Sequence, residues 1–169
     1  MMRVLQEIFG EIEKPEITVT DLLTKNEELQ DLQVQDGRGE VTSIGAIGEQ
    51  INDVARSMIS LGLVEGNTIA INDLSYDDAL LVYFAAEQIG VNVVNVTGES
   101  IVGRLSEVRP RITVSHRATE DAVVASTGEF LILREGEGDG ASTLDWNSFL
   151  SLRSFATAWE LNKFRVISA

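Results

Sequence analysis

Two β-branched runs separated by a helix-length segment constrain this chain more than any other feature. Thr68-Ile69-Ala70-Ile71 is continuous and β-branched, as a strand covered on both faces should be, and the run from Val91 through Val93 and Val94 to Val96 reads as the next strand. Between them stand Ser75 with Asp78 three residues on, the spacing of a capping box, and Gly90, a helix stop. That segment predicts a helix with Ala79, Leu80, Tyr83, Phe84 and Ala86 on its apolar side. Strands joined through a helix run parallel and cross over with a right hand. The alternation continues downstream. Ile112-Thr113-Val114 and Phe130-Leu131-Ile132-Leu133 read as a third and a fourth strand. Residues 100–108, stopped by Pro110, and residues 119–125 read as short helices between strands. The expected class is α/β: a parallel sheet flanked by helices on both faces, a Rossmann-like subdomain.

Upstream, Ile44, Ile47, Ile51, Val54, Ala55, Met58 and Ile59 recur at three- and four-residue steps. This stripe predicts an amphipathic helix over 42–62, capped by Thr42 or Ser43 and closed by Gly62. Gly45 and Gly48 weaken its first turns and mark a place where neighbouring backbone comes close. Residues 4–12 have helical spacing that ends before Pro15, and Thr20 with Asp21 opens a second short helix. Leu32-Gln33-Val34 alternates as a strand, with Asp36-Gly37 as its turn, and Leu63 to Gly66 form another turn. Near the other end, residues 134–141 read as a flexible acidic glycine loop, 144–159 as a helix and 164–167 as a terminal strand. The expected organisation is a single domain over 1–169. Residues 1–40 are its N-terminal helical extension, and 142–169 its aromatic C-terminal helix and strand.

Charge decides which partners are compatible with this fold. Thirteen basic residues against 27 acidic ones leave a net charge of −14. Such a surface repels phosphate backbones and anionic membranes, which excludes non-specific nucleic-acid or membrane binding. A hydrophobic content of 44% supports a packed core and argues against disorder. Without cysteine there is no disulfide, no thiolate metal site and no cysteine nucleophile. The first fourteen residues hold no long apolar run, and no stretch approaches the roughly 18 apolar residues of a membrane span. A soluble, cytoplasmic protein is the expectation. Lys14, Lys25 and Lys163 are the only lysines. A lysine-poor acidic surface fits an ordinary acidic protein or one adapted to high salt.

Ligands of open α/β sheets bind at the carboxyl ends of the strands. Here those ends carry Asn72-Asp73-Leu74-Ser75, Thr97-Gly98-Glu99-Ser100 and Ser115-His116-Arg117. The turns lack G-x-G-x-x-G spacing, no Gly-Lys pair occurs, and Asp73 and Glu99 would repel phosphate. The plainer reading makes Ser75 and Ser100 helix caps. His116 is the only histidine; a triad drawn with Ser115 or Ser126 has no nucleophile elbow. Asp73, Ser75 and Asp77 begin like a calcium loop, but Asp78 and Phe84 stand where glycine and a bidentate acid belong. The acids from Glu135 to Asp139 read as a weak cation site or, more simply, as a solvated loop. No catalytic, cofactor-binding or metal-binding residue is expected.

The aromatic residues near the C-terminus allow two readings. Trp146, Phe149 and Leu150 share one helical face, and Phe155 and Trp159 continue the series. They form either a core layer on the sheet or a surface that docks on another subunit, where aromatics are enriched.

The run from Gly39 to Val96 resembles the N-terminal region of adenylate-forming enzymes: acyl-CoA synthetases, luciferases and adenylation domains. The matching pattern is a capped helix ending in Val54-Ala55 through Ser60-Leu61-Gly62, then Val64-Glu65-Gly66-Asn67 and the strand Thr68–Ile71. A helix ending in Ile89-Gly90 and a strand of small β-branched residues follow. Asn67 stands where the family usually has Asp. Residues 101–114 resemble the next helix and strand, and 144–150 the short helix before the phosphate loop. The resemblance implies that the ATP chemistry, carried by a Ser/Thr/Gly-rich loop ending in Lys-Gly and by later motifs, lies beyond the matched region. The chain ends at Ile167-Ser168-Ala169, about where the strand leading into that loop would stand. No family catalytic residue maps onto this sequence. The expectation is a stand-alone, non-catalytic domain that binds a protein partner or its own copy and needs no cofactor. The alternatives are one subunit of a split acyl-CoA synthetase, and a small-ligand sensor built on Asp73, Glu99 and His116.

Overall fold

In the computed structural model, the described residues are 30–35, 39–96, 109–118 and 130–156. Their elements are β1 (Gln33–Gln35), β2 (Val41–Ser43), α1 (Ile44–Ser60), β3 (Thr68–Asn72), α2 (Tyr76–Gln88), β4 (Asn92–Asn95), β5 (Ile112–Ser115), β6 (Phe130–Leu133), β7 (Thr143–Asp145) and α3 (Trp146–Ser151). A single 3₁₀ turn, Leu152–Phe155, follows α3. β1 and β2 pair antiparallel. The main sheet has the order β4-β3-β5-β6-β7, and every pair in it is parallel. The α/β class and the parallel sheet read from the strand–helix alternation are those of the molecule. The expected elements at 4–12, 20–23, 100–108, 119–125 and 164–167, and the turn at Asp36-Gly37, lie outside the described residues.

α1 forms where its apolar stripe and caps place it. Ser43 Oγ accepts the Ala46 N–H at 3.1 Å, and Gly62, just past the Leu61 cap, takes φ +84°. The close approach expected at Gly45 is real: a Cβ there would stand 3.3 Å from the carbonyl oxygen of Gln30. The stripe buries Ile44, Ile51, Val54, Ala55 and Met58 in one cluster with Ile69, Ile71, Ile112, Val114 and Ile132 of the sheet. Val82, Ala85 and Ala86 of α2 and Trp146 and Phe149 of α3 join that cluster. Truncating one of these large side chains to alanine costs about 2–5 kcal/mol. Strand alternation turns Ala70, Thr113, Leu131 and Leu133 to the opposite face, where they too are buried.

Four details differ from the sequence reading. Tyr83 is 51% exposed, and Val82 and Ala85 take the inward positions of α2. Asp78, which meets a cation described below, lies on the same inward side. The segment expected as a helix over 144–159 opens instead with β7, a fifth parallel strand. Three residues are too few to show a period, so from sequence Leu144 groups with the helix that follows. α3 itself stops at Ser151, tightens into the 3₁₀ turn, and Ala156 is extended. The glycine loop at 134–141 is not a loose tether: the Asp139 carboxylate accepts the N–H groups of Ala141, Ser142 and Thr143 at 2.8, 3.0 and 2.8 Å. Among the described residues no helix is long and apolar enough to cross a membrane.

Candidate functional site

The strand order reverses between β3 and β5, since the chain goes from β3 first to β4 on one side and then to β5 on the other. In open α/β sheets this switch point is where a crevice opens at the carboxyl ends. Asn72 ends β3 and Ser115 ends β5, and they are register partners. Asn72 is 4% exposed, and its Nδ2 donates to Ser115 Oγ at 3.1 Å. Ser115 Oγ donates in turn to the Arg117 carbonyl at 2.7 Å. The crevice is thus bridged by a buried amide–hydroxyl pair. Asp73 follows with φ +50°, a left-handed position that Asp tolerates better than most residues.

α2 begins one turn further on. Ser75 Oγ accepts the Asp78 N–H at 3.2 Å and donates to Asp78 Oδ2 at 2.7 Å. The role of Ser75 as a helix cap is therefore its observed role; Ser100 lies outside the described residues. Asp78 is only 7% exposed, and Oδ1 accepts from Arg134 Nε at 2.7 Å. The Arg134 guanidinium carbon lies 4.8 Å from the Trp146 ring centroid. Such a cation–π contact adds about 0.5–2 kcal/mol. One arginine thus joins the first turn of α2, the end of β6 and the start of α3.

His116 lies at the outer rim. Its Nε2 is 3.5 Å from Glu135 Oε2, which also receives Arg117 NH2 at 2.8 Å. His116 Nδ1 is buried and finds no hydrogen-bond partner. Ser115, the sequence neighbour drawn into a possible triad, has its hydroxyl engaged with Asn72 and Arg117, and Ser126 lies outside the described residues. Glu99, the third member of the sensor reading, is also outside them. Among the described residues no three His, Cys, Asp or Glu side chains cluster to hold a metal ion. Asp139 holds backbone N–H groups, chiefly that of Thr143, and these push its carboxyl below the usual range.

The aromatic series divides. Trp146 and Phe149 are 8% and 0% exposed, with ring centroids 5.3 Å apart. Both pack in the core cluster of this chain, and Asp145 caps the helix that carries them. Asp145 Oδ1 accepts the Ser148 N–H at 2.9 Å and Oδ2 its hydroxyl at 2.6 Å. The Ser148 hydroxyl, then its N–H, hold the Asp145 carboxyl below its ordinary value. Phe155 is 76% exposed, and Trp159 lies outside the described residues. Sequence reading missed Arg134 and Glu135 as rim residues. The signal for Arg134 was faint: a cation directly after an all-apolar strand.

The fold matches part of several solved ligases. An anthranilate CoA ligase superposes over 82% of this chain and 29% of its own, with a TM-score of 0.66 and 14% identity. A benzoate CoA ligase from Burkholderia xenovorans LB400 does so over 83% and 29%, at 0.61 and 20%. A coronafacic acid ligase from Pectobacterium brasiliense covers 80% and 29%, at 0.66 and 13%. The chain therefore has the fold of one segment of these adenylate-forming enzymes, and spans about 29% of their length. No protein-family model and no curated protein sequence matches it.

Proposed function

We propose that this chain is a non-catalytic α/β unit that works by docking on a second folded protein unit. The observation that carries the reading is that Asn72, Ser75, Asp78, Ser115, Arg134 and Glu135 of the described rim are engaged with one another or with Arg117, while His116 Nδ1 is left without a partner. Asn72 is bonded to Ser115, Asp78 to Ser75 and Arg134, and Glu135 to Arg117. A catalytic rim keeps an acid, base or nucleophile aimed at its substrate; among the described residues, Asp78, Glu135, Ser75 and Ser115 are bonded within the rim instead. Phe155, a large exposed aromatic six residues beyond the buried Phe149, supplies an anchor of the kind that dominates interfaces. The net charge of −14 favours a partner with a basic face.

Light scattering on size-exclusion fractions tests this. The wild-type chain is expected above its monomer mass, as its own oligomer or with a co-purifying protein at constant ratio, and Phe155→Ser releases the monomer. A wild-type monomer indistinguishable from Phe155→Ser at every concentration contradicts it.

The likeness to a segment of CoA ligases favours a second reading, in which the unit is one part of an acyl-CoA synthetase whose nucleotide-binding parts lie elsewhere. Acid-dependent pyrophosphate exchange that appears only when a complementary polypeptide is added would support that reading over the first.

A further inference from the structure

β7 closes one side of the sheet and, among the described residues, pairs only with β6. An edge strand ordinarily offers a row of N–H and C=O groups to any second strand. Pairing with β6 uses the Ser142 carbonyl, which accepts the Leu131 N–H at 2.8 Å. In a parallel ladder the alternate residues, Thr143 and Asp145, then direct their backbone groups outward.

The chain itself covers those outward groups. The Thr143 N–H donates to Asp139 Oδ1 at 2.8 Å, and the Thr143 carbonyl accepts the Gly140 N–H at 3.2 Å. A Cβ on Gly138 would collide with the Thr143 carbonyl oxygen and stand 2.8 Å from the Asp145 nitrogen and 2.9 Å from Leu144 Cα. The loop backbone therefore lies against the open side of the strand, and only glycine fits there. Glu137 and Asp139 are exposed along the same loop and add negative charge to it, while Glu135 turns to Arg117 at the end of β5.

We infer that loop 134–141 is an edge guard, which keeps β7 from pairing with β7 of a second copy of this chain. A two-fold pairing would be the expected product, because it places the same short edge on both sides of the contact. The guard acts twice. Asp139 and Gly140 occupy the hydrogen-bonding groups, and the acids repel an identical approaching surface.

Gly138→Ala and Asp139→Ala test this, each made in the Phe155→Ser background so that any new contact is separate from the docking proposed above. Hydrogen exchange of the 142–145 peptide and light scattering across concentration are the readouts. Losing a hydrogen bond to a carboxylate should speed Thr143 amide exchange about tenfold or more. The expected result is faster exchange together with a mass that rises towards a dimer as protein concentration increases. Faster exchange without any gain in mass overturns the guard, and unchanged exchange overturns the contact on which it rests. If Gly138→Ala fails to fold, Asp139→Ala decides alone, since Asp139 is exposed and bonded to groups of its own turn.

Discussion

Arg134 donates from Nε to Asp78 Oδ1 at 2.7 Å, joining the end of β6 to the first turn of α2. The carboxylate is nearly enclosed, while the guanidinium keeps a partly open edge. Asp78 also lies in the first turn of its helix, where the backbone dipole favours a negative charge. The pair therefore has three supports: helix end, cation and indole.

Arg134→Leu leaves the Asp78 carboxylate buried without its cation. A loss of about 3 kcal/mol in urea unfolding is expected. Arg117→Ala, which breaks the exposed pair with Glu135, should cost less than about 1 kcal/mol. Equal losses from the two variants would show that burial is not what distinguishes them.

Ser115→Ala removes the acceptor of the Asn72 amide at the switch point. The expected cost is about 1–3 kcal/mol, read from the midpoint of chemical unfolding. A neutral result would mean that water replaces the hydroxyl.

Phe149→Ala empties a fully buried ring position, at an expected cost of about 3–5 kcal/mol. Phe155→Ser should change unfolding of the isolated unit by less than about 0.5 kcal/mol. Its effect belongs to association. A large loss of intrinsic stability in Phe155→Ser would place that ring in the core.

Acid should weaken the loop and the start of α3 together. Thr143 and its neighbours hold the Asp139 carboxyl low, and the Ser148 hydroxyl and N–H hold that of Asp145 low. A carboxyl whose folded pKa lies below its unfolded one adds stability that is fully present above the unfolded value, near ~4. That stability is lost as pH falls through the lowered folded values. Unfolding free energy should therefore drop below about pH 4. Asp139→Ala and Asp145→Ala should each flatten that drop, measured as unfolding midpoints against pH.

The core was legible where side chains repeat. The α1 stripe from Ile44 to Ile59 and the β-branched runs of β3 and β5 gave their elements directly, since burial on a regular backbone imposes a period. β7 was not legible, because its three residues have no period and its Asp145 serves the helix that follows. Tyr83 was misplaced and Val82 missed because α2 is apolar nearly all round, so its spacing alone does not fix the inward side, and the Asp78–Arg134 contact on that side joins distant residues. The polar rim was visible as a cluster of strand ends. Its internal pairing was not, because which hydroxyl meets which amide depends on strand order, and Asn72 meets Ser115 only once β3 and β5 lie side by side.

On the function proposed above, the rim of this unit is structural and the unit performs no nucleotide chemistry alone. The decisive assay is ATP–pyrophosphate exchange by the purified chain with a panel of aromatic and aliphatic carboxylic acids. No exchange above buffer is expected with any acid. Acid-dependent exchange by the purified wild-type chain would instead place a working nucleotide site on this unit.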